Sequence, residues 1–377
     1  MSSETPNGRG VLPLQALEKM VAAGAIRSRN PILAEQIQPS SLDLRLGAEA
    51  YRVRASFLAA GSATVTSKLD QYRLHTIDLT RPAVLEKGCV YIVPLQEELA
   101  LPDTISGKAN PKSSTGRLDI FTRLITDEGR QFEIVPRGYK GRLYAEVVPR
   151  TFSIVVREGE RLSQLRLFQG DYQPSDQLLR KIEGEEALVY LPDESRGEAA
   201  IHNGLRLSVD LEGIDGSDII GYRARRHSPL VDLAKIHYYD PKEFWEPIYR
   251  SDSRTLILDT EDFYILASRE KVRIPPMYAA EMVPYDPTIG EFRIHYAGFF
   301  DPGFGYGSAG EINGTRAVLE VRSHEVPFIM EDGQVVASLV FEELLERPRV
   351  LYGEGIGSSY QRQGLKLSKH FKAPEKI

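Results

Sequence analysis

Gly138-Tyr-Lys-Gly-Arg-Leu-Tyr-Ala-Glu146, running on through Val147 and Val148, is the stretch that decides how this chain folds. Arg142–Val148 is apolar and rich in β-formers, and reads as a strand. Glu146 interrupts it. Alternation permits a carboxylate on the wet face of a strand, whereas a buried carboxylate is pushed toward its neutral form and suits proton shuttling. The pattern recurs as Ala317-Val-Leu-Glu-Val321, which puts Glu320 where the first occurrence has Glu146.

The recurrence extends outward from that strand. Tyr51-Arg-Val-Arg54 resembles Tyr222-Arg-Ala-Arg225 at an offset of 171 residues. Tyr91-Ile-Val, followed by Glu97, Glu98 and Pro102, resembles Tyr264-Ile-Leu, followed by Glu270, Lys271 and Pro275, at an offset of 173. Arg157-Glu-Gly159, leading to Leu165 and Phe168, matches Glu331-Asp-Gly333, leading to Leu339 and Glu342, at 174. Three matches in register indicate two copies of one unit. Short runs such as Ser41–Leu46, Cys89–Pro94, Phe152–Val156, Phe263–Ala267 and Val335–Phe341, set between Gly, Pro and Asp, make each copy a β-sandwich or barrel. Helices are few. One is expected over about Pro13–Ala25, with Leu14, Leu17, Met20 and Val21 on one face, and a second over Ser175–Ile182. The 377 residues divide into domains at 1–172 and 203–377, joined by a polar, acidic linker at 173–202.

Composition excludes several classes of function. With 47 Lys+Arg against 53 Asp+Glu the net charge is −6, so nothing draws the chain globally to nucleic acid or to an anionic membrane. Cys89 is the only cysteine, which rules out an intrachain disulfide and a cysteine-based zinc cage and fits a reducing compartment. The polar start, Met1–Leu12, and the lack of an apolar run of about 18 residues make a cytoplasmic protein the expectation. The seven histidines (His75, His202, His227, His237, His295, His324, His370) are scattered without pairing and read as structural or surface groups.

An anionic ligand therefore needs a local cradle, and Gly107-Lys-Ala-Asn-Pro-Lys-Ser-Ser-Thr-Gly-Arg117 offers one. Its hydroxyls and turn N–H groups donate to an oxyanion while Lys112 and Arg117 neutralise charge. Such a turn is also common at surfaces. Its functional weight comes from Glu146, some thirty residues on.

Taken together, Pro39-Ser-Ser-Leu-Asp-Leu-Arg-Leu-Gly47, the Lys-Ser-Ser-x-x-Arg turn and the later strand Glu resemble the dCTP deaminase branch of the dUTPase-like superfamily. So do Asp301-Pro-Gly-Phe-Gly305 and the tail Ser359-Tyr-Gln-Arg-Gln-Gly364 followed by Ser368, and the likeness spans the chain as two tandem copies. The resemblance implies a mainly β protein, two distorted β-barrel or jelly-roll domains with a few short helices, assembled as a homotrimer. It implies zinc-independent hydrolytic deamination of dCTP to dUTP and ammonia, feeding dUMP and thymidylate synthesis, with Mg2+ carried on the nucleotide triphosphate. Carried over, Glu146 is the acid/base, with Glu320 as its counterpart in the second copy. Ser113, Ser114 and Arg117 belong to the turn, with Lys112 beside them, and Tyr360, Gln363 and Gly364 belong to a nucleotide-covering lid. Zinc deaminases need a His/Cys ligand set that one cysteine cannot supply.

The copies depart from the family pattern differently. The first has Pro136-Arg-Gly-Tyr139 in place of Asp-Pro-Gly-Trp, and an apparent insertion at Asp127 to Gln131. The second keeps Asp301-Pro-Gly and Glu320, carries a Gly-rich insertion from Tyr306 to Gly314, and has Val283-Pro-Tyr-Asp-Pro-Thr288 where the serine turn belongs. The second copy is thus expected to be structural and to lend its tail to the first. A bifunctional enzyme yielding dUMP and pyrophosphate stays open through Asp301, although Pro136 argues against it in the first copy. A non-catalytic nucleotide-binding trimer is a further alternative. A lectin ranks last, because Trp245 is the only tryptophan.

Overall fold

The computed structural model describes residues 8–171, 173–284, 292–294, 298–323, 325–353, 360–361 and 363–373. Two compact units emerge. One comprises Met1–Tyr172 with Ser228–Tyr239 and Leu344–Arg349; the other comprises Gln173–His227, Asp240–Glu343 and Val350–Ile377. Both are built mainly from antiparallel sheet.

In the first unit, one sheet runs in the order Arg73–Asp78, Glu49–Val53, Tyr91–Ala100, Lys140–Pro149, Ile120–Thr126, with Ile26–Ser28 also on Tyr91–Ala100. A second runs Gly10–Val11, Arg161–Gln169, Ile105–Pro111, Ile134–Val135, with Leu42–Arg45 on Arg161–Gln169. The other unit repeats the pattern. Its sheets run Trp245–Tyr249, Ile219–Ala224, Phe263–Val272, Thr315–Ser323, Phe292–Ile294, and Leu205–Ser208, Val335–Glu343, Tyr278–Pro284, Phe299–Phe300. The repeat reaches single bonds. The Tyr91 hydroxyl accepts from Glu86 N–H at 2.9 Å, and Tyr264 accepts from Asp259 N–H at 2.9 Å. The Gly159 N–H reaches Leu46 O at 2.9 Å, and the Gly333 N–H reaches Val209 O at 3.0 Å.

Alternation explains the cores. Leu266 and Leu319, from the paired strands Phe263–Val272 and Thr315–Ser323 of one sheet, and Leu207 and Leu339, from the paired strands Leu205–Ser208 and Val335–Glu343 of the other, are completely buried in the core of the second unit. The same unit buries Trp245 against Phe263 and Phe371, so its indole is not an exposed sugar platform.

Several local expectations are corrected. The first helix is shorter, Leu14–Ala22, because Gly24 takes the left-handed conformation (φ +70°) that closes a helix. The second is Asp176–Glu185, with Ser175 outside it as N-cap, its hydroxyl accepting from Leu178 N–H at 3.2 Å. That helix and the strand Val189–Tyr190, paired to Phe263–Val272, fold the expected linker at 173–202 into the second unit. An eight-residue helix, Val65–Tyr72, was not anticipated. Among the described residues no helix is long and apolar enough to cross a membrane.

Candidate active site

Glu146 sits in the middle of Lys140–Pro149, with Ile92 opposite on one neighbouring strand and Arg123 opposite on the other. It is wholly buried. Arg123 donates twice to one oxygen, Nε to Oε1 at 3.0 Å and Nη2 to Oε1 at 2.6 Å. Nη2 also donates to Ser56 Oγ at 3.0 Å. The guanidinium lies 3.4 Å from the Phe132 ring centroid and 4.6 Å from that of Phe121, a cation–π arrangement. Oε2 of Glu146 is buried without a hydrogen-bond partner among the described residues.

A cover closes this face of the sheet. Phe57, Ala59, Val65, Leu69 and Phe132 pack with Val53, Ile92, Ile125 and Tyr144. The insertion at Asp127 to Gln131 helps to hold it. Asp127 Oδ1 accepts from Val65 N–H, at the start of the unanticipated helix, at 2.7 Å, and Glu128 N–H donates to Ala63 O at 3.1 Å. Tyr139 locks the base of the insertion: its hydroxyl donates to Arg142 O at 2.6 Å and accepts from Asp127 N–H at 3.2 Å. Burial pushes that hydroxyl well above the usual tyrosine range, so it stays protonated as a donor.

The serine turn forms a single helical turn, Ser113–Gly116, entered from Ile105–Pro111 and closed by Arg117 N–H donating to Ser113 O at 3.0 Å. Ser114, Thr115 and Arg117 are buried and Ser113 is half-buried. Lys112 forms an ion pair with the buried Asp43, joining the Pro39–Gly47 motif to the turn, so this lysine is already neutralised. The turn leads into Ile120–Thr126, whose Ile120 lies opposite Pro149. That register is three residues, about 10 Å along the strand, from Glu146.

In the second unit Glu320 faces Ile265 as Glu146 faces Ile92, and it too is buried. The Asp301–Phe304 turn is the counterpart of Pro136–Tyr139: each closes with an i+3 N–H to the first residue's carbonyl at 3.1 Å, around Gly303 (φ +93°) and Gly138 (φ +70°) respectively. Val283-Pro-Tyr-Asp-Pro-Thr288 falls largely outside the described residues, as does Ser359. The remaining tail residues pack within the second unit. Gln363 Nε2 donates to Arg316 O at 3.1 Å, the Tyr360 hydroxyl accepts from Lys369 N–H at 3.3 Å, and Gly364 lies against the Asp215 carboxylate. Ser113, Ser114, Lys112, Arg117 and Glu146 thus share the first unit, and Glu320, Tyr360, Gln363 and Gly364 the second.

A cavity of about 530 Å³ in the second unit has room for a nucleotide, but its charges are wrong for a triphosphate. Asp193, Asp210, Glu212 and Asp215 outnumber Arg269 and Arg316 in its lining, and Arg316 is paired with Asp210 at 2.7 Å. Among the described residues no group of three or more His, Cys, Asp or Glu is placed to hold a metal ion. Sequence reading missed Arg123. The available signal was that it is the one charge in Ile120–Thr126, which would pair with Glu146 only once the strand register was known.

Comparison with known proteins agrees with this architecture. The chain is similar to the crystal structure of 2′-deoxycytidine 5′-triphosphate deaminase from Agrobacterium tumefaciens, with a TM-score of 0.85 and 51% identity, covering 90% of this chain and 100% of that one. It is 28% identical over 141 residues to a protein of Acidothermus cellulolyticus named "dCTP deaminase, dUMP-forming", covering 37% of this chain and 70% of the relative. It is 26% identical over 132 residues to a Natronomonas pharaonis protein named "dCTP deaminase", covering 34% and 65%. Models of the N-terminal and C-terminal domains of 2′-deoxycytidine 5′-triphosphate deaminase match residues 8–171 and 175–371. The chain belongs to the dCTP deaminase family.

Proposed function

We propose that this protein hydrolyses the 4-amino group of dCTP, giving dUTP and ammonia, with Glu146 as the proton shuttle. The observation that carries the reading is the state of that carboxylate: buried, with Oε1 held by Arg123 and Oε2 unpartnered among the described residues, in the unit that also bears the serine turn. Oε2 accepts a proton from water as the water oxygen bonds to C4 of the base. The C4–N4 bond then breaks, and the proton passes to the departing amine. Ser113, Ser114 and Arg117 orient the nucleotide. Magnesium enters on the triphosphate, and a trimer of chains belongs to the same proposal.

A second reading, onward hydrolysis to dUMP, is favoured by the name of the Acidothermus relative and by Asp301 at a turn whose counterpart is Pro136. Incubation with dCTP and magnesium, with nucleotides resolved by ion exchange and ammonia assayed, separates the two. Equal dUTP and ammonia support deamination alone, whereas dUMP with pyrophosphate supports the second reading. No product from dCTP overturns both.

A further inference from the structure

The mechanism asks Glu146 to work through one oxygen, and the structure shows what ties down the other. We infer that Arg123 is a positioning residue for the reaction. It clamps Oε1 from two guanidinium nitrogens and so aims Oε2 at the reacting water. The inference rests on the reading of Glu146 as the proton shuttle.

The geometry is more specific than a surface ion pair. Both donors, Nε at 3.0 Å and Nη2 at 2.6 Å, converge on the same oxygen instead of forking across the carboxylate, which leaves Oε2 with no partner among the described residues. An arginine serving stability alone gains most by a two-oxygen fork. The clamp is itself held: Ser56 accepts from Nη2 at 3.0 Å, and Phe132 stacks 3.4 Å from the guanidinium carbon. Strand register fixes the pair as well, because Arg123 and Glu146 are direct cross-strand partners. Phe132 directly follows the Asp127 to Gln131 insertion, so the segment that departs from the family pattern supplies the floor on which the clamp rests.

Arg123→Ala should lower kcat by about 10²-fold, the size expected when a reacting group is misplaced by about an ångström, while the affinity for dCTP stays near that of the unaltered protein. Adding guanidinium at millimolar concentration should restore part of kcat in Arg123→Ala and none in Glu146→Gln. Arg123→Lys keeps the charge and should retain more activity than the alanine variant; it also serves as the test protein if Arg123→Ala does not fold, with kcat then expected to fall and affinity to hold. An unchanged kcat in a folded Arg123 variant would overturn the inference. So would a parallel loss of kcat and affinity that guanidinium does not relieve. Full turnover by Glu146→Gln would instead overturn the reading of Glu146 on which it depends.

Discussion

Glu97 receives Arg45 twice, accepting the backbone N–H at Oε2 and the side-chain Nε at Oε1, each at 2.8 Å and with Glu97 fully buried. The second unit repeats the arrangement with different chemistry. There Glu270 accepts the backbone N–H of Ser208 at 2.8 Å and its hydroxyl at 2.6 Å. In each unit one carboxylate pins the edge of one sheet to a central strand of the other, yet only the first does so with an ion pair.

Removing these anchors should therefore have unequal effects. Glu97→Ala leaves a buried guanidinium without its carboxylate, a loss of about 3–5 kcal/mol. Glu270→Ala breaks hydrogen bonds to neutral groups and should cost about 1–3 kcal/mol. Chemical denaturation of the two variants, followed by tryptophan fluorescence and circular dichroism, measures the difference; equal losses would refute it.

Acid should selectively loosen the Ser228–Tyr239 excursion. Hydrogen bonds from Arg157 to Asp232, at 2.6 and 2.9 Å, hold the Asp232 carboxyl below its ordinary range. A depressed carboxylate contributes stability that is present above its unfolded value, near 3.9, and is lost as the pH falls through the folded value. Asp232→Asn should thus be less stable than the unaltered protein at neutral pH, with the gap narrowing as the pH is lowered toward 3. A gap that stays constant with pH would exclude the linkage.

Two glycines should respond unequally to alanine. Gly305 has φ +62°, and an added Cβ would stand 2.0 Å from the Val272 carbonyl oxygen, so backbone must move. Gly305→Ala should cost on the order of 3 kcal/mol from left-handed strain and overpacking together. The tail residue Gly364 would bring its Cβ 1.8 Å from Asp215 Oδ2, but that carboxylate is 66% exposed and held, among the described residues, only by a long 3.9 Å contact with Arg316, so it can swing away at little cost. Gly364→Ala should change stability by less than about 1 kcal/mol. Thermal melts of both variants decide this.

The two strand glutamates offer a direct test of which copy reacts. Glu146→Gln should cut turnover of dCTP by about 10²–10⁴-fold, the range for loss of a general acid–base group. Glu320→Gln should leave most of it, because the serine turn lies in the first unit, as Ser113–Gly116, and the second copy has Val283-Pro-Tyr-Asp-Pro-Thr288 in its place. The reverse ranking would transfer the role to Glu320.

The sequence carried the duplication well, because Tyr91 and Tyr264, or Gly159 and Gly333, repeat identity and spacing together. Val65–Tyr72 was hidden because only Val65 and Leu69 are buried on it, too few apolar positions to set a helical period over eight residues. Thr64 caps it, its hydroxyl accepting from Ser67 N–H at 3.1 Å, but the contact that holds Val65 at the helix start comes from Asp127, 62 residues away. Distance along the chain likewise hid Arg123 as the partner of Glu146, a cross-strand pair set by register, and Asp43 as the partner of Lys112, which meet through the turn that follows Ile105–Pro111. The segment 173–202 read as a linker from its charge. The helix within it was legible, but its burial was not: that rests on Leu179 and Ile182 of the helix and on Leu188 and Val189 beyond it, four apolar positions among charged neighbours.

Because Glu146 touches no solvent, the structure imposes an order of events on any turnover that uses it. If Glu146 is the proton shuttle, a pyrimidine and its attacking water reach it only once part of the packing around it opens, and ammonia leaves through the same opening. The bonds from Asp127 to Val65 and from Glu128 to Ala63 act as its latch. If that opening is slower than the chemistry, it sets the ceiling on turnover. A better proton shuttle at position 146 would leave that ceiling where it stands, whereas a weaker hold at Asp127 would raise it.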